Sequence, residues 1–203
     1  MFLLQDTYKG LMVWPDRPKV YLFENFITAK EADDVIQVAK SKLEVARVTD
    51  GQIKGVNRNT RNNMLCWLEH DTTPTILKIC RSIAGEVGLP LSNAEPLQVN
   101  NYKTGQYFEP HYDALPTPEQ SGASGPRLVT ALVYLNTVKK GGATFFPALG
   151  YKHPPKVGDM LLFHNTLPET LERDLNSLHG ADRVLDGEKW AMNLWFRQKR
   201  YVK

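Results

Sequence analysis

What most limits this chain is a change of texture near residue 94. Before it, apolar residues recur at helical spacing. After it, short apolar runs alternate with glycine and proline. Val20 to Phe23 reads as a strand, and Thr28 with Glu31 three residues on forms a capping box. That box opens a helix carrying Ala32, Val35, Ile36 and Ala39 and running through Leu43. A second helix follows Thr72-Thr73-Pro74, with Ile76, Ile79, Cys80, Ile83 and Val87 as its apolar residues and Gly88 and Pro90 as its stop. Beyond residue 94, Leu97 to Tyr102, Leu128 to Leu135, Met160 to His164 and Trp190 to Phe196 read as strands. Turn residues such as Gly105, Gly141-Gly142, Pro154-Pro155 and Gly187 separate them. Many short strands with turn signals between them call for a sandwich or barrel. The fold class is therefore α+β, with helices first, an antiparallel β-core second, and the helices packed on one face of that core.

With 203 residues and 42% hydrophobic content, the chain suits one well-cored domain, residues 1–203. Helical support would occupy about 18–90 and the β-core about 94–198. A formal charge of +3 is too mild to argue for nucleic acid. The basic run from Arg197 to Lys203 reads as a solvated chain end. Two cysteines, Cys66 and Cys80, make no disulfide framework, and Cys80 falls in a helix where a buried free thiol is ordinary. No apolar run approaches the roughly 18 residues of a membrane span. Met1 to Trp14 lacks a secretory h-region and cleavage site. The expectation is a soluble, cytoplasmic protein with no membrane partner and no visible targeting segment.

The chemistry gathers in Tyr107-Phe108-Glu109-Pro110-His111-Tyr112-Asp113. In a strand, residues two apart share a face, so His111 and Asp113 would present an imidazole beside a carboxylate. A second imidazole from elsewhere would complete a two-histidine, one-carboxylate triad, which leaves positions open on Fe(II). Four histidines remain. His70, between Glu69 and Asp71, looks like surface charge, and His153 precedes two prolines in a loop. His164 ends an apolar run as a satisfied, half-buried residue. His179 stands ten residues before Lys189, a cation at the mouth of an apolar strand and suited to the far carboxylate of a chelating dicarboxylate. Each piece taken alone also fits a solvated polar pair or a surface lysine.

Together they resemble the prolyl 4-hydroxylase family. Six stretches carry the resemblance in the family's order: Glu95 to Tyr102, Gly105 to Asp113, Arg127 to Leu135, Gly141-Gly142-Ala143-Thr144-Phe145-Phe146-Pro147, Ser177-Leu178-His179 and Gly187 to Trp190. The resemblance spans about residues 18 to 198. It implies a double-stranded β-helix, or jelly-roll, core with flanking N-terminal helices. It further implies that His111, Asp113 and His179 hold Fe(II) and that Lys189 binds the co-substrate 2-oxoglutarate. Tyr102 and Thr144 would assist Lys189, and Trp190 would form part of the pocket wall. Arg61, Glu95 and Arg127 match positions associated with peptide binding, and Gly51 to Asn63 is a candidate lid, with an ordinary hairpin loop as the plainer reading. Exposed aromatics such as Trp14, Trp67 or Tyr112 would line a groove for an extended proline-rich chain. There are three departures, of which the first two leave substrate identity open. Asn62-Asn63 stand for Thr-Ser, Phe108 stands where many members have tyrosine, and Asp182-Arg183 stand for Cys-Pro.

The implied activity is 2-oxoglutarate- and O2-dependent hydroxylation of prolyl residues in a peptide or protein, giving 4-hydroxyproline, succinate and CO2, with ascorbate as a further cofactor. The chain would act alone, without an accessory subunit. Alternatives are a related oxygenase acting on free proline or another substrate, a non-catalytic jelly-roll peptide-binding module, and a zinc or manganese enzyme of cupin type. Lys189, where nucleic-acid demethylases use arginines, counts against a nucleic-acid substrate.

Overall fold

The computed structural model describes residues 4, 5, 7–46, 48–50, 53–55 and 61–203. The chain opens with strands β1 (Leu11–Trp14) and β2 (Val20–Phe23) and helix α1 (Ala29–Lys40). Three short strands follow: β3 (Glu44–Val45), β4 (Val48–Asp50) and β5 (Ile53–Gly55). Then come β6 (Met64–Leu68), α2 (Pro74–Val87), β7 (Leu97–Lys103), β8 (Phe108–His111) and β9 (Arg127–Tyr134). Strands β10 (Lys140–Gly141), β11 (Thr144–Phe146), β12 (Tyr151–His153) and β13 (Met160–His164) lead to β14 (His179–Ala181). The chain ends in β15 (Val184–Asp186) and β16 (Glu188–Arg197).

Both helices begin where the sequence predicts. Thr28 accepts from the Glu31 N–H while the Glu31 carboxylate accepts from the Thr28 N–H, completing the capping box. Thr73 caps α2 with Pro74 in its first turn, and Gly88 ends it in the left-handed conformation. Helix α1 stops at Lys40, short of Leu43, because Ser41 caps it and Leu43 turns in to pack against the core.

Eight strands form one antiparallel sheet in the order β1-β2-β13-β9-β16-β7-β6-β3, and four form a second in the order β12-β11-β14-β8. Period-2 alternation sorts the central strands onto two faces. Val129, Ala131 and Val133 of β9, with Met192, Leu194 and Phe196 of β16, meet Val35, Ile36, Ile79 and Ile83 of the helices. On the opposite face, Leu132, Tyr134, Leu161, Phe163 and Ala191 meet Phe146 of the second sheet. The large sheet is thus buried on both sides, which explains why its strands read as nearly continuous apolar runs. The result is the expected α+β architecture, a double-stranded β-helix with helices covering its outer face.

Most of Gly51 to Asn63 lies outside the described residues, so the lid expected there has no structural counterpart to report. Strand β5, inside this stretch, pairs antiparallel with β4 just before it.

Candidate metal centre and co-substrate pocket

The inner face of the large sheet and the second sheet enclose the site. Strands β8 and β14 pair so that His111 stands directly opposite His179. This register brings their rings to 4.5 Å between centroids. Strand β8 ends at His111, so Asp113 lies beyond it, a difference from the strand geometry expected of this pair. Tertiary bonds hold Asp113 in place instead. Thr130 Oγ1 donates to its Oδ2 at 2.6 Å, and Arg127 donates to its carbonyl at 3.4 Å. His111, Asp113 and His179 thereby offer three donor atoms all within 4.8 Å of one another.

Both imidazoles are turned for this purpose. His111 Nδ1 lies 2.9 Å from the Glu109 carbonyl and His179 Nδ1 lies 3.0 Å from the Ser177 carbonyl. A carbonyl only accepts, so each Nδ1 carries the proton and each Nε2 keeps a free lone pair. Those Nε2 atoms lie 3.8 and 3.6 Å from the Asp113 oxygens. Burial pushes the His111 imidazole down to about 3, and His179 beside it acts in the same direction. Burial alone would raise the Asp113 carboxyl, but His179, His111 and Arg127 outweigh it and hold it at about 2. A neutral nitrogen donor beside a fixed carboxylate suits a divalent first-row cation, and two such nitrogens with one oxygen fit Fe(II). Phe163 packs against the His179 ring at 4.7 Å and Phe108 stacks on His111 at 3.6 Å, fixing both rings, with His179 buried and His111 keeping an edge toward solvent.

Lys189 is 1% exposed, in register with Tyr102 across β16 and β7. Its Nζ lies 3.5 Å from Thr144 Oγ1 and 5.5 Å from the ring centres of Tyr102 and Tyr134. Among the described residues no carboxylate forms an ion pair with it. Burial pushes the ammonium down to about 7, while Asp182 pulls weakly the other way. A desolvated cation with hydroxyls around it and no counter-ion is built to receive an anion. Tyr134, which the sequence reading did not single out, is fully buried on the same face beside Ala191. Its position two residues past Leu132 in an inward-alternating strand was the available signal. Trp190 requires a correction. It follows Lys189 in an extended strand, so it points to the other face and joins the helix-side core rather than the pocket wall.

The three positions matched to peptide binding sit in hydrogen-bond networks beside this centre, Arg127 bonding the Asp113 carbonyl. Arg61 is buried, donates to Asn63 and Asn100 at 2.7 and 2.6 Å, and lies over Phe108. Glu95 accepts two bonds from Arg127 at 2.5 and 2.7 Å and one from Arg197 at 2.6 Å. Arg127 in turn lies 4.0 Å over Trp195, which neighbours Trp67 at 5.9 Å. Trp67 is 43% exposed, whereas Trp14 packs against the core between the sheets. Two other histidine readings change. His153 is a buried strand residue 3.3 Å from Asp159, not a loop residue, and His70 bonds the Glu95 carbonyl at 2.8 Å rather than standing as free surface charge. His164 is buried, with Tyr8 Oη at 2.9 Å from its Nε2.

Residues 97–197 match the family model of the 2OG-Fe(II) oxygenase superfamily. An Arabidopsis thaliana protein named "Probable prolyl 4-hydroxylase 7" is 33% identical over 91% of this chain and 64% of its own length. The "Putative prolyl 4-hydroxylase" of Acanthamoeba polyphaga mimivirus is 32% identical over 98% of this chain and 82% of its own. Among solved structures, the viral collagen prolyl hydroxylase of Paramecium Bursaria Chlorella virus-1, in its 2OG complex, superposes with a TM-score of 0.69. It is 29% identical and covers 88% of this chain and 95% of that one.

Proposed function

The chain belongs to the prolyl 4-hydroxylases of the 2OG-Fe(II) oxygenase superfamily, and on that premise we propose that it hydroxylates prolyl residues of a peptide or protein. The reaction consumes 2-oxoglutarate and O2 and forms 4-hydroxyproline, succinate and CO2. One observation carries this reading: a His111–Asp113–His179 donor set lies on the second sheet, and a buried ammonium, Lys189, reaches that same sheet at Thr144 and has no ion-pair partner among the described residues. A peptide-binding module needs neither.

We assign His111, Asp113 and His179 to Fe(II), which when bound supplies the O2 chemistry that no side chain here can perform. Lys189 takes the far carboxylate of 2-oxoglutarate, with the Thr144 hydroxyl beside it and Tyr102 and Tyr134 as walls. This fixes the keto-acid end toward the two Nε2 atoms and excludes water from the space between. Arg61, Glu95 and Arg127 shape the peptide side, and exposed Trp67 extends it with an aromatic surface. An extended proline-rich segment suits that surface, because its polyproline II form is already ordered before it binds. The helical support of about 18–90 and the core of about 94–198 work as one unit in this reading.

Ascorbate, the stand-alone state and a cytoplasmic location are finer parts of the same reading. Two free, buried thiols, Cys66 and Cys80, agree with a reducing compartment. No helix among the described residues is long and apolar enough to cross a membrane.

The test is incubation with Fe(II), ascorbate, 2-oxoglutarate and a panel of proline-rich peptides, reading succinate and peptide mass together. The expected result is succinate with a gain of one oxygen on proline, abolished in His179→Ala and weakened in Lys189→Ala. Succinate without peptide modification would keep the oxygenase and remove the substrate. Neither product from iron-loaded protein would overturn the reading.

A further inference from the structure

Behind Asp113 runs a chain of buried polar groups that the proposed chemistry does not itself require. Thr130 Oγ1 donates to Asp113 Oδ2 at 2.6 Å, and Asn165 Nδ2 donates to Thr130 Oγ1 at 2.8 Å. Thr130 is 1% exposed and Asn165 is not exposed at all. The remaining amide oxygen of Asn165 is buried without a hydrogen-bond partner. Leaving such a group unpaired costs about 1–3 kcal/mol, so a purely structural account leaves its presence unexplained.

The order of donors and acceptors gives it a purpose. A threonine hydroxyl has one proton and can send it either way. The Asn165 NH2 group only donates, so it occupies a lone pair of the Thr130 oxygen and leaves the Thr130 proton to Asp113. Asp113 needs this help. Its Oδ1 lies 3.8 Å from His111 Nε2 and its Oδ2 lies 3.6 Å from His179 Nε2, so both oxygens border the same space. The hydroxyl engages Oδ2 and breaks that near-symmetry, leaving Oδ1 as the better donor to a cation. The consequence is countable. Two imidazole nitrogens and one carboxylate oxygen would take three positions on a bound divalent cation and leave the others to the co-substrates. A carboxylate binding through both oxygens would remove one of those positions.

The anchors of this chain sit in the frame of the fold. Thr130 belongs to β9, on the face turned toward the second sheet, and pairs with Phe163 of β13 and Trp195 of β16. Asn165 follows β13, its N–H bonded to the Leu128 carbonyl and its own carbonyl accepting from the Asp174 N–H. We infer that Thr130, aimed by Asn165, is a positioning residue that fixes the Asp113 carboxylate as a one-oxygen ligand. This rests on the reading of His111, Asp113 and His179 as the metal site.

The test is Mn(II) binding to the purified protein without 2-oxoglutarate, followed through the free-ion EPR signal, with melting of the metal-free protein as the control for folding. Thr130→Val keeps the shape and removes the hydroxyl, and metal affinity should fall by about 10–100-fold, the usual effect of losing a partner to a metal ligand. Thr130→Ser restores the hydroxyl and should bind close to wild type. Asn165→Ala leaves Thr130 in place but frees its proton to turn away, and should give a smaller loss. It also decides the matter if Thr130→Val does not fold. Wild-type Mn(II) affinity in Asn165→Ala together with Thr130→Val, or in Asn165→Ala alone where Thr130→Val is unfolded, would overturn the positioning role. Wild-type protein without affinity for Mn(II) would overturn the metal site itself, a separate outcome.

Discussion

Lys189 is a cation kept where water does not reach, and its chemistry follows from that. Burial lowers its folded value from 10.5 to about 7. Between those two values the ligand-free folded chain holds less proton than the unfolded chain, so its stability rises with pH across that window. Binding of 2-oxoglutarate has the opposite sign, because the carboxylate requires the ammonium. Below about pH 7 the proton is already present. Above it, binding must take a proton up, and affinity should fall by up to about tenfold per pH unit. The KM for 2-oxoglutarate should therefore climb from neutral toward alkaline pH. Lys189→Met should lose this slope and weaken binding by about 10–100-fold, the equivalent of a charged hydrogen bond of about 1.5–3 kcal/mol. A flat wild-type profile would show that Lys189 keeps its proton across this range, and unweakened binding in Lys189→Met would show that it does not hold the carboxylate.

At the scale of elements, Glu95 is the fastener. It lies just before β7 and accepts bonds from Arg127 at the start of β9 and Arg197 at the end of β16. Burial alone would raise its carboxyl, but the two guanidinium groups outweigh burial and hold it below the ordinary range. Its contribution is therefore complete above the ordinary carboxylate range and lost as pH falls through its lowered folded value. Glu95→Gln should cost about 1–3 kcal/mol in a denaturant titration, because two half-buried guanidinium groups lose their counter-charge. Strand β10 has a different constraint. Gly141 has φ +79°, and a Cβ there would come within 2.3 Å of the Arg183 carbonyl. Gly141→Ala should lower stability by at least the roughly 1–2 kcal/mol of the left-handed backbone, read as a drop in melting temperature. Element length also decides what the sequence could show. Strands β7, β9 and β16 run seven residues or more, so their period and their apolar character stand out. Strands β12 and β14 have three residues each, too short for a period, which is why His153 reads as a loop residue. His179 stands out through its spacing to Lys189, not through its strand.

For the whole molecule, the layers decide what is adjacent. Helices cover one face of the large sheet, so the other face is free to enclose a site with the second sheet. His179 lies 66 residues beyond Asp113 in sequence, and the two meet only because β8 pairs with β14. The sequence shows that His111, Asp113, His179 and Lys189 match a pattern, but not that Trp190 faces away or that Thr130 and Asn165 stand behind Asp113. Those relations depend on which face each strand turns inward and on side chains from strands far apart in order. The same closure makes ligand binding a stability measurement. A ligand present at a hundred times its dissociation constant adds about 2.7 kcal/mol to the folded state. For a chain of this size that should raise the melting temperature by roughly 5–10 °C. A divalent cation should produce this shift alone, and 2-oxoglutarate should add to it only when the cation is present, since Lys189 holds one end of the molecule and the metal the other. His179→Ala should abolish the cation's shift and, with it, most of the co-substrate's. Full stabilisation of His179→Ala by 2-oxoglutarate in the presence of a chelator would mean that the dicarboxylate binds at Lys189 independently of the His111–Asp113–His179 set, and the two halves of the site would then not be one.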